Sequence, residues 1–212
     1  MKYTEILKSE FYKETYEKIA ELKKDFAVDH SFLHIQHVIK NAKKLSKTFN
    51  LSNKQKNLLY IACCLHDIGY LEGRENHAQN GSLIAREFLK KHNIKECDID
   101  VICSAIANHG GKEEKDFYDK VSLCLTIADK LDFIGSRYNE KLMTVEKAKN
   151  FKNIISNDLS LQNNSLILKI FVTSNFDSKK FEEEYFGVKL FNFLNLVCKT
   201  LNYNNKVEYI VI

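Results

Sequence analysis

Leu58-Leu59-Tyr60-Ile61-Ala62-Cys63-Cys64-Leu65-His66-Asp67-Ile68-Gly69 is the stretch on which the reading of this chain turns. Residues 53–66 are expected to form an apolar helix that delivers an imidazole and a carboxylate at its C-terminal end. That end is the negative pole of the helix macrodipole, a poor place for an aspartate. A buried carboxylate also needs a compensating partner. A divalent cation satisfies both demands, and imidazole and carboxylate are both good ligands for one.

Outward from this pair, other donors recur at wide spacing. His34 precedes it, and His77, His109 and Asp129 follow, each embedded in a helical pattern. Helices that converge and aim these side chains inward would surround one metal centre. His30, His34 and His37 share a face at helical spacing. His34 lies one turn before the apolar Val38 and is the favoured ligand, whereas His30 and His37 read more readily as surface histidines. His77 opens a helix, where free backbone N–H groups also favour phosphate. His109 ends an apolar helix before Gly110-Gly111, a position that also suits a cationic side chain. Asp129 sits inside Leu125-Thr126-Ile127-Ala128-Asp129-Lys130-Leu131. Lys130 is its neighbour in sequence but not on the helix surface, so a metal is the better counter-charge.

The chain has 212 residues, 44% hydrophobic and 28% charged, with a net charge of +4. That length supports a sizeable core without staples. Lysines and glutamates are interspersed, so no basic stripe argues for nucleic acid. Six cysteines show no CxxC pair and lie mostly in apolar runs, as reduced thiols do, which points to a cytoplasmic protein. No apolar run approaches the ~18 residues of a membrane span, and the charged N-terminus lacks a signal-peptide core. Proline is absent, so Gly, Asn and Asp must end the helices.

The fold class expected is mainly α, a helical bundle over residues 1–150 with a small α+β appendage over 151–212. The periodicity predicts one or two helices over 3–26, then helices over about 31–49, 53–66, 77–91, 98–109 and 117–134. Leu159 to Val172 reads as a β-hairpin about Asn163-Asn164, followed by a helix from Lys179 to Leu201 and a closing strand from Val207 to Ile212. Phe176, Phe181, Tyr185, Phe186 and Phe193 read as core.

His34, His66-Asp67 and Asp129, in that order on helices, resemble the signature of the HD-domain metal-dependent phosphohydrolases over roughly residues 25–137. His34-Ile35-Gln36-His37-Val38 is similar to the family's His-x-x-Arg-Val, with His37 where Arg is usual. The resemblance implies His34, His66, Asp67 and Asp129 around one ion. With His77 and His109 it implies a second ion, bridged by Asp67, as in the two-metal subgroup. The cofactors implied are one or two divalent ions (Fe, Mn, Zn, Co or Ni, with Mg admitted). The reaction implied is hydrolysis of a phosphate ester or anhydride, with Asp67 catalytic and Lys130 and Arg137, then Arg74 and Lys112, countering substrate charge. Tyr70 stands where the cyclic-dinucleotide phosphodiesterases usually carry Lys, and their Gly-Tyr-Pro motif is missing, which disfavours that substrate. Beyond Glu72 and Glu75 there is no counterpart of the acidic pair of the alarmone hydrolases.

The expected partner is a small phosphorylated substrate, nucleotide-like, rather than nucleic acid or membrane, and a homodimer is compatible with the sequence. A mononuclear 5'-nucleotidase-type phosphomonoesterase is the nearest alternative. A non-catalytic, metal-stabilised nucleotide-binding sensor is the alternative from another class.

Overall fold

The computed structural model describes residues 1–22, 30–110, 119–137 and 150–212. Two units are distinguished: Met1–Lys24 with His30–Asp129, and a second that includes Lys130–Ile212. The first is helical: α1 (Tyr3–Ile6), α2 (Glu10–Leu22), α3 (Phe32–Thr48), α4 (Asn53–Leu65), α5 (His77–Lys91), α6 (Glu96–Asn108) and α7 (Lys120–Lys130).

α4 is the central element. Ser52 caps it through a capping box with Gln55, and Leu58, Leu59, Ile61, Ala62, Cys63, Cys64 and Leu65 are all buried. Burial gives roughly 1.5–3 kcal/mol for each large apolar side chain. That outweighs the helix reluctance of the two cysteines, at most about 0.7 kcal/mol each.

After Asp67 the chain tightens into a 3₁₀ turn, Ile68–Glu72, and α5 begins at His77. Two glycines allow the approach. A Cβ on Gly69 would overlap the His77 carbonyl oxygen and the Gly81 nitrogen, and one on Gly81 would lie 3.1 Å from the His66 carbonyl oxygen. This close packing seats the start of α5 against the His66-Asp67 corner.

With no proline available, asparagines take the left-handed corners. Asn50, Asn93 and Asn202 follow helices, and Asn163 and Asn164 form the hairpin turn, all at positive φ. Besides the first hairpin strand, which begins at Ile154 rather than Leu159, and the closing strand, which begins at Asn204 rather than Val207, three helix boundaries differ from the sequence expectation. α6 begins at Glu96 rather than Asp98. α7 stops at Lys130 rather than 134, and a short 3₁₀ turn, Gly135–Arg137, follows. The C-terminal helix is two, Ser178–Glu183 and Tyr185–Leu201. They break at Glu184, whose carboxylate instead accepts hydrogen bonds from the backbone and side chain of Asn150.

In the second unit β1 (Ile154–Gln162) and β2 (Ser165–Val172) form the antiparallel hairpin, and β3 (Asn204–Val211) lies parallel to β2. A parallel neighbour requires a crossover, supplied here by the two helices between the strands. Leu166, Leu168, Ile170 and Val172 bury one face of β2. Phe181 and Phe193 are core as expected, but Tyr185 is exposed. No described helix is long and apolar enough to cross a membrane.

Candidate metal centre

Helix ends build the site. His66 is the C-cap of α4, Asp67 the cap of the following 3₁₀ turn, and His109 the C-cap of α6. His34 comes from the first turn of α3 and Asp129 from the last turn of α7. His34, His66, Asp67 and His109 are almost wholly buried. Two contacts fix the frame. The Tyr16 hydroxyl, on α2, donates to the Cys64 carbonyl at 3.0 Å and accepts from the Asp67 backbone N–H. The Asn41 amide, on α3, donates to the Ala128 carbonyl at 3.1 Å, beside Asp129.

The donor atoms lie close together. His34 Nε2 is 3.3 Å from His66 Nε2 and 3.3 Å from Asp129 Oδ1. His66 Nε2 is 3.8 Å from Asp129 Oδ1 and 3.5 Å from Asp67 Oδ1. Asp67 divides its oxygens: Oδ1 also faces His109 Nε2 at 3.6 Å, while Oδ2 faces His34 Nε2 at 3.4 Å and His30 Nδ1 at 2.9 Å. Ligands about 2.0–2.2 Å from one ion stand roughly 2.8–3.6 Å from one another in octahedral (cis) or tetrahedral arrangement. Most of these spacings fall in that range. Three groups of ligand atoms meet within 4.8 Å: His30-His34-Asp67, His34-His66-Asp129 and His66-Asp67-His109.

The hydrogen bonds behind the rings decide what the cluster lacks. His66 Nδ1 donates to the Cys63 carbonyl at 2.9 Å, and His109 Nδ1 donates to the Ile106 carbonyl at 2.6 Å. Carbonyls only accept, so both rings carry a proton on Nδ1, and their Nε2 atoms aim at carboxylate oxygens. Lone pairs facing carboxylates repel unless a cation, proton or metal, stands between them. A histidine whose other ring nitrogen donates to a carbonyl is also the usual form of a metal-bound imidazole. The donor set therefore fits a divalent ion.

The same logic shows in the acidity of Asp67. Burial alone would raise its carboxyl. Positive charge on His66 and His30, with hydrogen bonds from His109 and His30, outweighs burial and holds the group well below the usual carboxylate range.

The other expected site residues are placed as follows. His77 adjoins the cluster, its ring 5.2 Å from that of His109 and stacked on Tyr70 at 4.3 Å, but it joins none of the three groups. Its Nδ1 donates to the Arg74 carbonyl at 3.2 Å. Burial, then the His109 imidazole, lowers its pKa to about 4, so it is neutral near pH 7. Arg74 is exposed, and His37 is half-buried and in none of the groups. Lys112 lies outside the described residues. Lys130 and Arg137 belong to the second unit. There Arg137 is buried, and its guanidinium donates to the Asp132 carbonyl at 2.6 Å and faces that residue's Oδ2 at 3.3 Å. That engagement with Asp132 differs from the expected role as a substrate clamp.

His30, read from the sequence as a surface residue, is the principal omission. It lies before α3, whose N-cap is Ser31, and reaches Asp67. Its four-residue offset from His34 was the available signal. Tyr16, Asn41 and Tyr70 had none, because their contacts span long sequence separations or depend on a turn.

Residues 31–134 match the family model of the HD domain. That stretch is an HD domain. The family is one of metal-dependent hydrolases, and its eponymous pair falls on His66-Asp67, where the donors converge. No curated protein matches the chain. Among solved structures it is similar to a predicted HD superfamily hydrolase from an uncultured Thermotogales bacterium, at 22% identity and a TM-score of 0.44, over 61% of this chain and 79% of that one. At that distance the assignment of residues 31–134 rests on the domain match alone.

Proposed function

We propose that this HD-domain protein hydrolyses a phosphate ester or anhydride of a small nucleotide-like substrate with two adjacent divalent ions. The observation that carries the reading is the divided carboxylate of Asp67, one oxygen toward His66 and His109 and the other toward His34. His34, His66, Asp67 and Asp129 would hold one ion, and Asp67, His109 and His77 the other. Bound there, divalent cations supply Lewis acidity, lowering the pKa of water and countering phosphoryl charge.

The chain's own residues do the rest. Asp67 fixes the spacing of the two ligand sets. The Nδ1 bonds of His66 and His109 lock their rings so that both Nε2 atoms stay aimed inward. Lys130, next in sequence to Asp129, is assigned to the substrate phosphate. A single-metal phosphomonoesterase is the second reading, favoured by the position of His77 outside the three donor groups. The six free cysteines favour a reducing, cytoplasmic setting.

Elemental analysis of anaerobically purified protein, with a phosphate-release screen over nucleotides and dinucleoside polyphosphates, tests the proposal. Two metal equivalents with turnover support it, and one equivalent with turnover selects the single-metal reading. Metal without turnover of any ester, while a nucleotide still binds, would replace it with a sensor.

A further inference from the structure

We propose that β3 is a dimer edge, pairing antiparallel with β3 of a second copy of this chain in a register centred on Val207. The two outer strands of the sheet differ. The edge of β1 is broken by a register shift between Ile154 and Ser156, a common way of blunting an edge. Preceding residues also pack there. The Asn157 amide donates to the Leu131 carbonyl at 2.7 Å, and a Cβ on Gly135 would lie 3.1 Å from the Ile154 carbonyl oxygen. β3 pairs with β2 over Asn204–Val211 without a shift, and no described strand lies on its other side. It contains neither proline nor glycine, and Val211, in register with the buried Val172, is itself 64% exposed. Such an edge is a template for another strand.

The backbone decides which groups face outward. Asn204 and Ile212 donate their N–H groups to the Asn164 and Val172 carbonyls. Peptide groups alternate sides along a strand. The even-numbered residues therefore face β2, and Asn205, Val207 and Tyr209 turn both N–H and C=O to the outer edge. A twofold axis normal to the sheet keeps each face continuous, so residues directly opposite must share a face.

Charge then selects the register. An axis at Lys206 sets lysine against lysine, and one at Glu208 sets glutamate against glutamate, both destabilising. An axis at Tyr209 sets Glu208 against Ile210 and Lys206 against Ile212. Of these axes only Val207 sets Lys206 opposite Glu208 of the second copy, twice by symmetry. Val207 then meets Val207, and Asn205 meets Tyr209, as hydrogen-bonded pairs that satisfy the outward groups. The Lys206–Glu208 pairs fall at the narrow positions, where side chains come closest. Within one chain Lys206 Nζ already lies 2.7 Å from a Glu208 carboxylate oxygen, so the dimer completes a square of alternating charges.

Sedimentation equilibrium on the full chain, from micromolar to near-millimolar concentration, tests the pairing. A monomer–dimer equilibrium is expected. Lys206→Glu and Glu208→Lys alone should each weaken the dimer by about 10-fold or more, since each sets like charges opposite one another. Mixed in equal amounts, the two variants should form a heterodimer, because each then meets the opposite charge. Both substitutions on one chain should restore the native dissociation constant. Both positions lie at the surface, and circular dichroism checks that each variant folds.

Amide exchange reads the strand itself. The N–H groups of Asn205, Val207 and Tyr209 should gain protection as concentration rises, while those of Lys206 and Glu208 stay unchanged. A protein monomeric at every concentration leaves this edge to a strand of another protein and overturns the proposal. A dimer indifferent to both charge reversals has its interface elsewhere and overturns it equally. Failure of the two mixed variants to pair would exclude the register centred on Val207.

Discussion

The two units bury polar groups in opposite ways. In the second, Arg137 meets Asp132, and Glu184 accepts from Asn150, so within these two pairs donor faces acceptor and each pair closes on itself. In the helical unit His34, His66, Asp67 and His109 are buried just as deeply, yet the Nε2 atoms of His66 and His109 face a carboxylate oxygen across 3.5–3.6 Å, room for a shared cation. Burial that neutralises itself belongs to stability. Burial that leaves a demand for positive charge belongs to chemistry, and here that demand lies at the HD corner.

Substitution should separate the two cases sharply. Asp67→Ala is expected to abolish metal retention and turnover together, read by elemental analysis and phosphate release. Glu184→Ala should leave metal content intact and lower unfolding free energy by about 1–3 kcal/mol for each buried Asn150 donor left without its acceptor, read by denaturant melts. If Glu184→Ala stripped the metal, the contrast would fail.

Next in size is Gly69→Ala. Its Cβ would meet backbone atoms of His77 and Gly81, which cannot move as a flexible side chain can. A loss of about 4 kcal/mol or more is expected, with impaired metal binding. Gly73 provides the control. A Cβ there meets nothing within 4 Å, and only its φ of +101° opposes substitution, so Gly73→Ala should cost about 1–2 kcal/mol.

Metal removal should stabilise nothing and weaken the helical unit. An ion present at 100 times its Kd contributes about 2.7 kcal/mol, so a chelator should lower the melting temperature of the native protein and leave that of Asp67→Ala unchanged.

The smallest effect concerns His77 in metal-free protein. Its folded value of about 4 lies below the ordinary 6.5, so between these limits the unfolded chain binds the extra proton. Stability is then retained above about pH 6.5 and declines as pH falls toward 4. His77→Gln should flatten that slope in thermal melts across the same window.

The helical frame was legible because its signals are local. The apolar run into His66-Asp67, the capping residue Ser52 and the period of α5 can each be read within a few turns. His34, His66, Asp67, His109 and Asp129 were legible for the same reason, as polar residues on otherwise apolar helical patterns. His30 was not, because it precedes its helix and its partner lies 37 residues away. The end of α7 and the break at Glu184 were hidden by uninterrupted helical patterns. Asn41 and Tyr16 act through hydrogen bonds to backbone 87 and 48 residues distant, which no pattern along the chain announces.

The most direct measurement is an anomalous-difference map from crystals grown with manganese or zinc, recorded at that metal's absorption edge. A peak is expected about 2.0–2.2 Å from His34 Nε2, His66 Nε2, Asp67 and Asp129, and a second on the Oδ1 side of Asp67 near His109. A map without a peak at Asp67, in protein supplied with excess metal, would contradict it.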